Sequence, residues 1–306
     1  MDPRRTGENR DGGSACRLLP ALILSAAISA CAPAHTSETA DHFADAGIAY
    51  TEAVPAVIDE SFQLSVSVDS LQLQQAKPDI DRAARGARLK ESDRLLEARL
   101  KILRDLKRHV ALLRSYFGAL KSLSASDATP GLVGTTNSLV DRMAELKPAI
   151  ADASFAGRPV KSLVNPAVTL AVGAYQNAAL RDELTSHGAA VERELDLERA
   201  ALTAIGQQMT ADLDLLVQIR ERNPITEAYL RDGPLPSDWS ARRMAAFQTT
   251  IRSDNLDAAR KAAATLHDSW VAFAEGRLGE GGVTLLLRDV ASLKALVDEL
   301  APKRAP

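Results

Sequence analysis

Five histidines (His35, His42, His109, His187 and His267) and two cysteines (Cys16 and Cys31) are the side chains best suited to nucleophilic or metal chemistry. Their spacing assembles no catalytic pattern. No histidine follows a glutamate by three residues, so the Glu-x-x-His pair of a ferritin-like di-iron site is missing. His-Glu-x-x-His, Cys-x-x-Cys, Gly-x-Ser-x-Gly, a Walker loop and Gly-x-Gly-x-x-Gly are also absent. Glu38, His42 and Asp45 share a helical face at i, i+4 and i+7 and could offer three donors to a divalent cation. A solvated polar face is the plainer reading. Acid pairs such as Asp212 and Asp214 are common on helices, and glycosidase chemistry needs carboxylates facing each other across a cleft. The expectation is a protein that binds, with no catalytic residues, no metal and no cofactor.

Charge is segregated along the chain. Arg82 to Lys121 holds twelve basic residues against four acidic, and Asp182 to Asp214 eight acidic against two basic. Within the basic stretch, Lys90, Arg94, Lys101, Arg104 and Arg108 fall on one side of a helix, opposite its apolar seam. They can dock an anionic partner such as lipid head groups, a glycan polymer or an acidic protein. As a solvated face, they could instead pair with the acidic stretch. A global balance of 37 Lys+Arg against 40 Asp+Glu argues against a nucleic-acid binder, and no aromatic series interleaves with the strip.

Cys31 has a more specific context. A polar segment with Arg4, Arg5, Arg10 and Arg17 precedes the apolar run Leu18 to Ala30, which reads as the hydrophobic core of a secretion signal. At about 20 Å of helix the run is too short to span a bilayer. Thr6-Gly7-Glu8-Asn9 after Arg4-Arg5 argues against twin-arginine export.

The run ends in Ile28-Ser29-Ala30-Cys31, which resembles the lipobox of bacterial lipoproteins. The resemblance covers the signal alone. It implies a diacylglyceryl group on the Cys31 thiol, cleavage between Ala30 and Cys31, and acylation of the new amino terminus. Several acyl chains hold far more firmly than one, because each buried methylene adds about 0.8 kcal/mol. Ala32, where an aspartate resembles an inner-membrane retention signal, implies the outer membrane. A mature chain would carry 33 basic against 37 acidic residues and no thiol free for a disulfide.

The remaining chain must position these groups with helices. Alanine is abundant, apolar residues are 46% of the chain, and the hydrophobic period stays helical. Breaks at Lys77-Pro78, Thr129-Pro130-Gly131, Gly157-Arg158-Pro159, Asn223-Pro224, Gly233-Pro234 and Gly279-Glu280-Gly281-Gly282 delimit helices at 38–76, 80–125, 131–155, 166–222, 238–276 and 283–300. Asn165, Asn223 and Ser237 or Asp238 are candidate N-caps.

Heptad seams run through Phe43, Tyr50, Val57, Leu64 and Leu71, and through Leu96, Leu103, Val110 and Phe117. Others run from Leu195 to Ile219 and from Val283 to Leu300. Ile58, Phe62, Val66 and Leu73 make a second apolar side of the first helix, which is either central or awaiting a partner helix, a second copy included. Pro55 should kink that helix. Trp239 and Trp270 read as core aromatics.

The expectation is an all-α, elongated antiparallel bundle with coiled-coil-like long helices. Residues 1–30 are a signal peptide, 31–37 a tether and 38–306 one domain. The expected role is a lipid-anchored, periplasm-facing binding or scaffold protein of the outer membrane. The alternatives are a carrier of a hydrophobic small molecule and an immunity protein against an envelope toxin.

Overall fold

Apolar residues recurring every three to four positions force the chain to hide one side of each helix, and packing those sides together builds a helical bundle. The computed structural model describes residues 37–76, 81–124, 131–166, 168–219, 223–244 and 256–300. They belong to one packed unit, Ala34–Pro306. The lipobox, with Ala30 and Cys31, lies outside the described residues. The fold is all-α.

Helix α1 (Ser37–Ala76) and α2 (Arg82–Ser124) form an antiparallel hairpin, each about 60 Å long by helical rise. Its register is set by apolar burial and marked by Lys121–Asp45 at 2.6 Å, Arg114–Glu52 and Lys107–Asp59 at 2.7 Å. Gly47 lets the pair close up: a Cβ there would sit 2.7 Å from the Phe117 ring. The α1 helix is continuous through Pro55.

After α3 (Gly131–Ala151) the chain departs from the expected helix-to-helix course. Two-residue strands β1 (Ser154–Phe155) and β2 (Arg158–Pro159) form a hairpin, and a 3₁₀ turn follows at Val160–Leu163. The hairpin turn puts Ala156 at φ 48° and Gly157 at φ 75°. The Gln208 side chain accepts from the Ala156 N–H at 2.6 Å and holds that turn on the bundle.

Among the described residues from 164 to 177, none is helical. Helix α4 (Ala178–Val217) therefore starts twelve positions later than Asn165-Pro166 suggested. Asn177 is its N-cap, accepting from the Leu180 N–H at 3.1 Å. Asn165 instead donates its backbone N–H and side-chain amide to Asp196 of α4. A local cap signal lost to a tertiary hydrogen bond.

Helix α5 (Asn223–Leu230) opens at the expected Asn223-Pro224. The expected helix 238–276 is described as a helical stretch at 239–244 and as α6 (Leu256–Ala274). The last helix, α7, runs Glu280–Leu300.

Helix α4 is central, packing against α1, α2, α3 and α6, and α7 closes the bundle against α1 and α6. Phe43, Tyr116, Phe117, Trp270 and Phe273 form one aromatic cluster joining α1, α2 and α6, with Phe43 and Phe273 stacked at 4.7 Å. Trp270 is core and donates from Nε1 to the Gly188 carbonyl at 3.1 Å. Trp239 is not core. It is half-buried, stacks on exposed Tyr229 at 6.0 Å and donates to the Ile225 carbonyl. Among the described residues, no helix is long and apolar enough to cross a membrane.

Candidate functional site

Helix α2 outlasts its cover. From Arg82 to Glu91 every residue is exposed, so the first turns of the helix meet solvent nearly all round. Lys90, Arg94, Lys101, Arg104 and Arg108 are all exposed. At 100° per residue they fall within an arc of about 80°, forming a stripe about 27 Å long.

Their counter-charges come from α2 itself and not from the acidic stretch. Arg94 makes a two-pronged pair with Glu91 at 2.6 and 2.9 Å, which holds the Glu91 carboxyl below its ordinary value. Lys101 and Arg108 both reach the buried Asp105, at 2.9 and 3.3 Å. Lys90 and Arg104 make no ion pair with any described residue. Toward the C-terminus the stripe runs into an open groove between α2 and α3 of about 540 Å³. Arg108, Leu112 and Ser115 line one side and Arg142, Glu145 and Leu146 the other. The sequence could not reveal this groove, because it depends on where α3 lands.

The second apolar side of α1 divides. Ile58 is core, while Phe62, Val66 and Leu73 are half-buried, with Phe62 packed on the core. Glu38 and His42 stand 3.7 Å apart, but Asp45 points to Lys121, so the three donors do not converge. Among the described residues, no group of three or more His, Cys, Asp or Glu side chains is arranged to hold a metal ion.

The acidic stretch is the main surprise. Glu183, Glu192, Glu194, Asp196, Glu198 and Asp212 are all buried, each at 5% exposure or less. Thr136 of α3 donates to Glu183 at 2.7 Å, and His187 lies 3.1 Å from its other oxygen. His267 of α6 meets Glu192 at 3.1 Å. His109 of α2 and Lys147 of α3 converge on Glu194 at 3.1 and 3.2 Å. Arg199 and Asn165 hold Asp196, and Gln208 donates to Asp212 at 2.7 Å with Arg99 at 3.9 Å. Three of the five histidines thus serve buried carboxylates.

These pairs shape the electrostatics of the interior. Burial pushes the Glu194 carboxyl up, but the His109 hydrogen bond and the charges of His109 and Lys147 outweigh it and hold it below its ordinary value. Glu198 goes the other way, driven to about 7 mainly by burial. The hydroxyls of Tyr50 and Tyr116 are pushed far up, first by burial and then by Glu198 and Glu183 respectively.

One signal for this burial was in the sequence. Glu192, Glu194, Asp196 and Glu198 alternate with other residues, and on a helix that places charge on two opposite sides. A surface helix with one solvated face has no such pattern.

Other exposed apolar side chains lie at the end of α5, where Tyr229 and Leu230 are 68% and 76% exposed, and in the 239–244 stretch, where Met244 is 61% exposed. No family model matches the chain, and no curated protein and no solved structure matches it.

Proposed function

We propose that this chain is a lipid-anchored, non-catalytic binding or scaffold protein of the bacterial cell envelope. In this reading Cys31 carries the acyl chains and holds the bundle at the outer membrane, facing the periplasm. The long helices set its reach, and the α2 stripe engages an anionic envelope component. The observation that carries the binding role is the stripe: five cations on one exposed arc, opposite a buried apolar seam, two of them with no ion-pair partner among the described residues. Spending that much like charge on one side of a helix brings no folding benefit, since surface ion pairs add little stability. It does raise the affinity for a polyanion, in a manner that falls with salt.

The test is a salt-graded binding measurement of the purified chain against isolated peptidoglycan and, separately, anionic phospholipid vesicles. It compares the chain with a variant carrying Lys90, Arg94, Lys101, Arg104 and Arg108 changed to Gln. Binding to at least one surface that weakens with salt and is lost in the variant supports the reading. Equal binding by both proteins, or none by either, sinks it. Intact mass of the membrane-extracted chain tests the anchor: a mature start at Cys31 with added acyl mass is expected, and an unmodified thiol refutes it.

A further inference from the structure

Glu198 stands apart from its neighbours on α4. It is 1% exposed, and neither carboxylate oxygen has a partner at hydrogen-bonding geometry. Across the α1–α4 contact it faces the hydroxyl of Tyr50, itself fully buried and without a partner at such geometry. From α2, His109 acts on Glu198 through its charge, but its Nε2 is taken by Glu194 and its Nδ1 has no partner. From α3, Lys147 is engaged with the same Glu194, and from α6, His267 with Glu192. On α2, Asp105 is held by Lys101 and Arg108. Among the described residues no cation makes an ion pair with Glu198, and the charge of His109, already shared with Glu194, offsets its burial only in part. A buried carboxylate in such a place is costly, and its neutral acid is much less so.

We propose that Glu198 is a proton-controlled point of the α1–α4 contact beside Tyr50, secure while Glu198 is neutral and strained by its uncompensated burial once it ionises. Burial supports the assignment by moving the Glu198 carboxyl from 4.5 up to about 7, against the opposing pulls of His109 and Tyr50. The sign follows from proton linkage: the folded state holds this proton more tightly than the unfolded one. The stability it contributes is complete below about pH 4.5 and lost as pH rises through about 7.

The test is thermal unfolding of the full chain in detergent at pH 5 and pH 8, compared with E198Q, whose side chain stays neutral. The wild-type midpoint should fall by about 5 °C or more between the two. E198Q should lose less than half of that. An equal fall in both proteins overturns the proposal and assigns the slope to other groups. If E198Q does not fold, carboxyl-carbon NMR of the wild type decides. A Glu198 titration midpoint above pH 6 supports the contact, and one at or below about pH 5 overturns it.

Discussion

His109 Nε2 lies 3.1 Å from Glu194 Oε2 in the middle of the bundle, with the imidazole wholly buried and Lys147 reaching the other carboxylate oxygen at 3.2 Å. One side chain of α4 is thereby bonded to α2 and α3 at once. The apolar seams allow neighbouring registers to slide by a turn, whereas this three-helix junction is satisfied in only one. Removing His109 leaves the buried Glu194 with Lys147 alone and one oxygen without its hydrogen bond, at roughly 1–3 kcal/mol. H109L should lower unfolding stability by that order in urea titrations, with the far-ultraviolet helix signal of the folded state retained. A loss under about 1 kcal/mol would show that apolar packing alone sets the register.

The acid limb of the stability profile should belong to Glu194. Its carboxyl is held below its ordinary value of 4.5, so its contribution is complete above that value and lost as pH falls through the lower folded value. Glu198 acts with the opposite sign, and stability should peak near pH 5. Unfolding midpoints measured from pH 3 to pH 8 should show both limbs. E194Q should flatten the acid limb while leaving the fall toward pH 8 in place. An acid limb that persists unchanged in E194Q would contradict the assignment.

Two glycines should respond in opposite directions to alanine. At Gly47 the new methyl would lie 2.7 Å from Phe117 in the α1–α2 contact, and G47A should destabilise by about 1–3 kcal/mol. At Gly86, on the exposed start of α2, nothing stands within 4 Å. G86A should stabilise by up to about 1 kcal/mol through helix propensity alone. Parallel chemical denaturation of the two variants is sufficient, and a like sign for both would undo the close-approach argument.

Asn177 caps α4, and Asn165 is tied to its side. N177A removes the cap and the bond from its amide to the Leu123 carbonyl, and should lose about 1–2 kcal/mol. Amide hydrogen exchange distinguishes the two positions. Protection should fall at residues 178–181 in N177A, and in N165A the start of α4 should stay protected. Fraying at 178–181 in N165A would show that the Asn165–Asp196 bonds, and not the Asn177 cap alone, hold the start of α4.

Much of the bundle was legible residue by residue. Phe43, Tyr50, Val57 and Leu64 are buried as their spacing requires, and so are Leu103, Val110 and Phe117. The helix ends near 76, 124 and 300 fall where proline, glycine or chain polarity ends the apolar period. Less legible were the connections. The segment from Pro159 to Asn177 holds apolar residues at helical spacing, yet Asn165 bonds to Asp196 and Tyr175 donates to the Phe273 carbonyl. Those distant partners compete with local helix and win. For the candidate site, the stripe from Lys90 to Arg108 could be read directly, because exposure on α2 follows from lying opposite its seam. The groove beside it could not, and the alternation of Glu192, Glu194 and Glu198 signals burial without naming the partners they meet.

Composition and period, read along the chain, determine that this protein is helical and which side of α1, α2 and α7 turns inward, since both depend on residues within a few turns of each other. Which helix occupies the centre is a different kind of question. It is settled by six surfaces competing for limited burial, and only the packed structure places α4 there, carboxylates included. Once α4 is surrounded, its acids must find His109, Lys147, His187 and His267 or give up their charge, which is why the interior chemistry belongs to the tertiary structure.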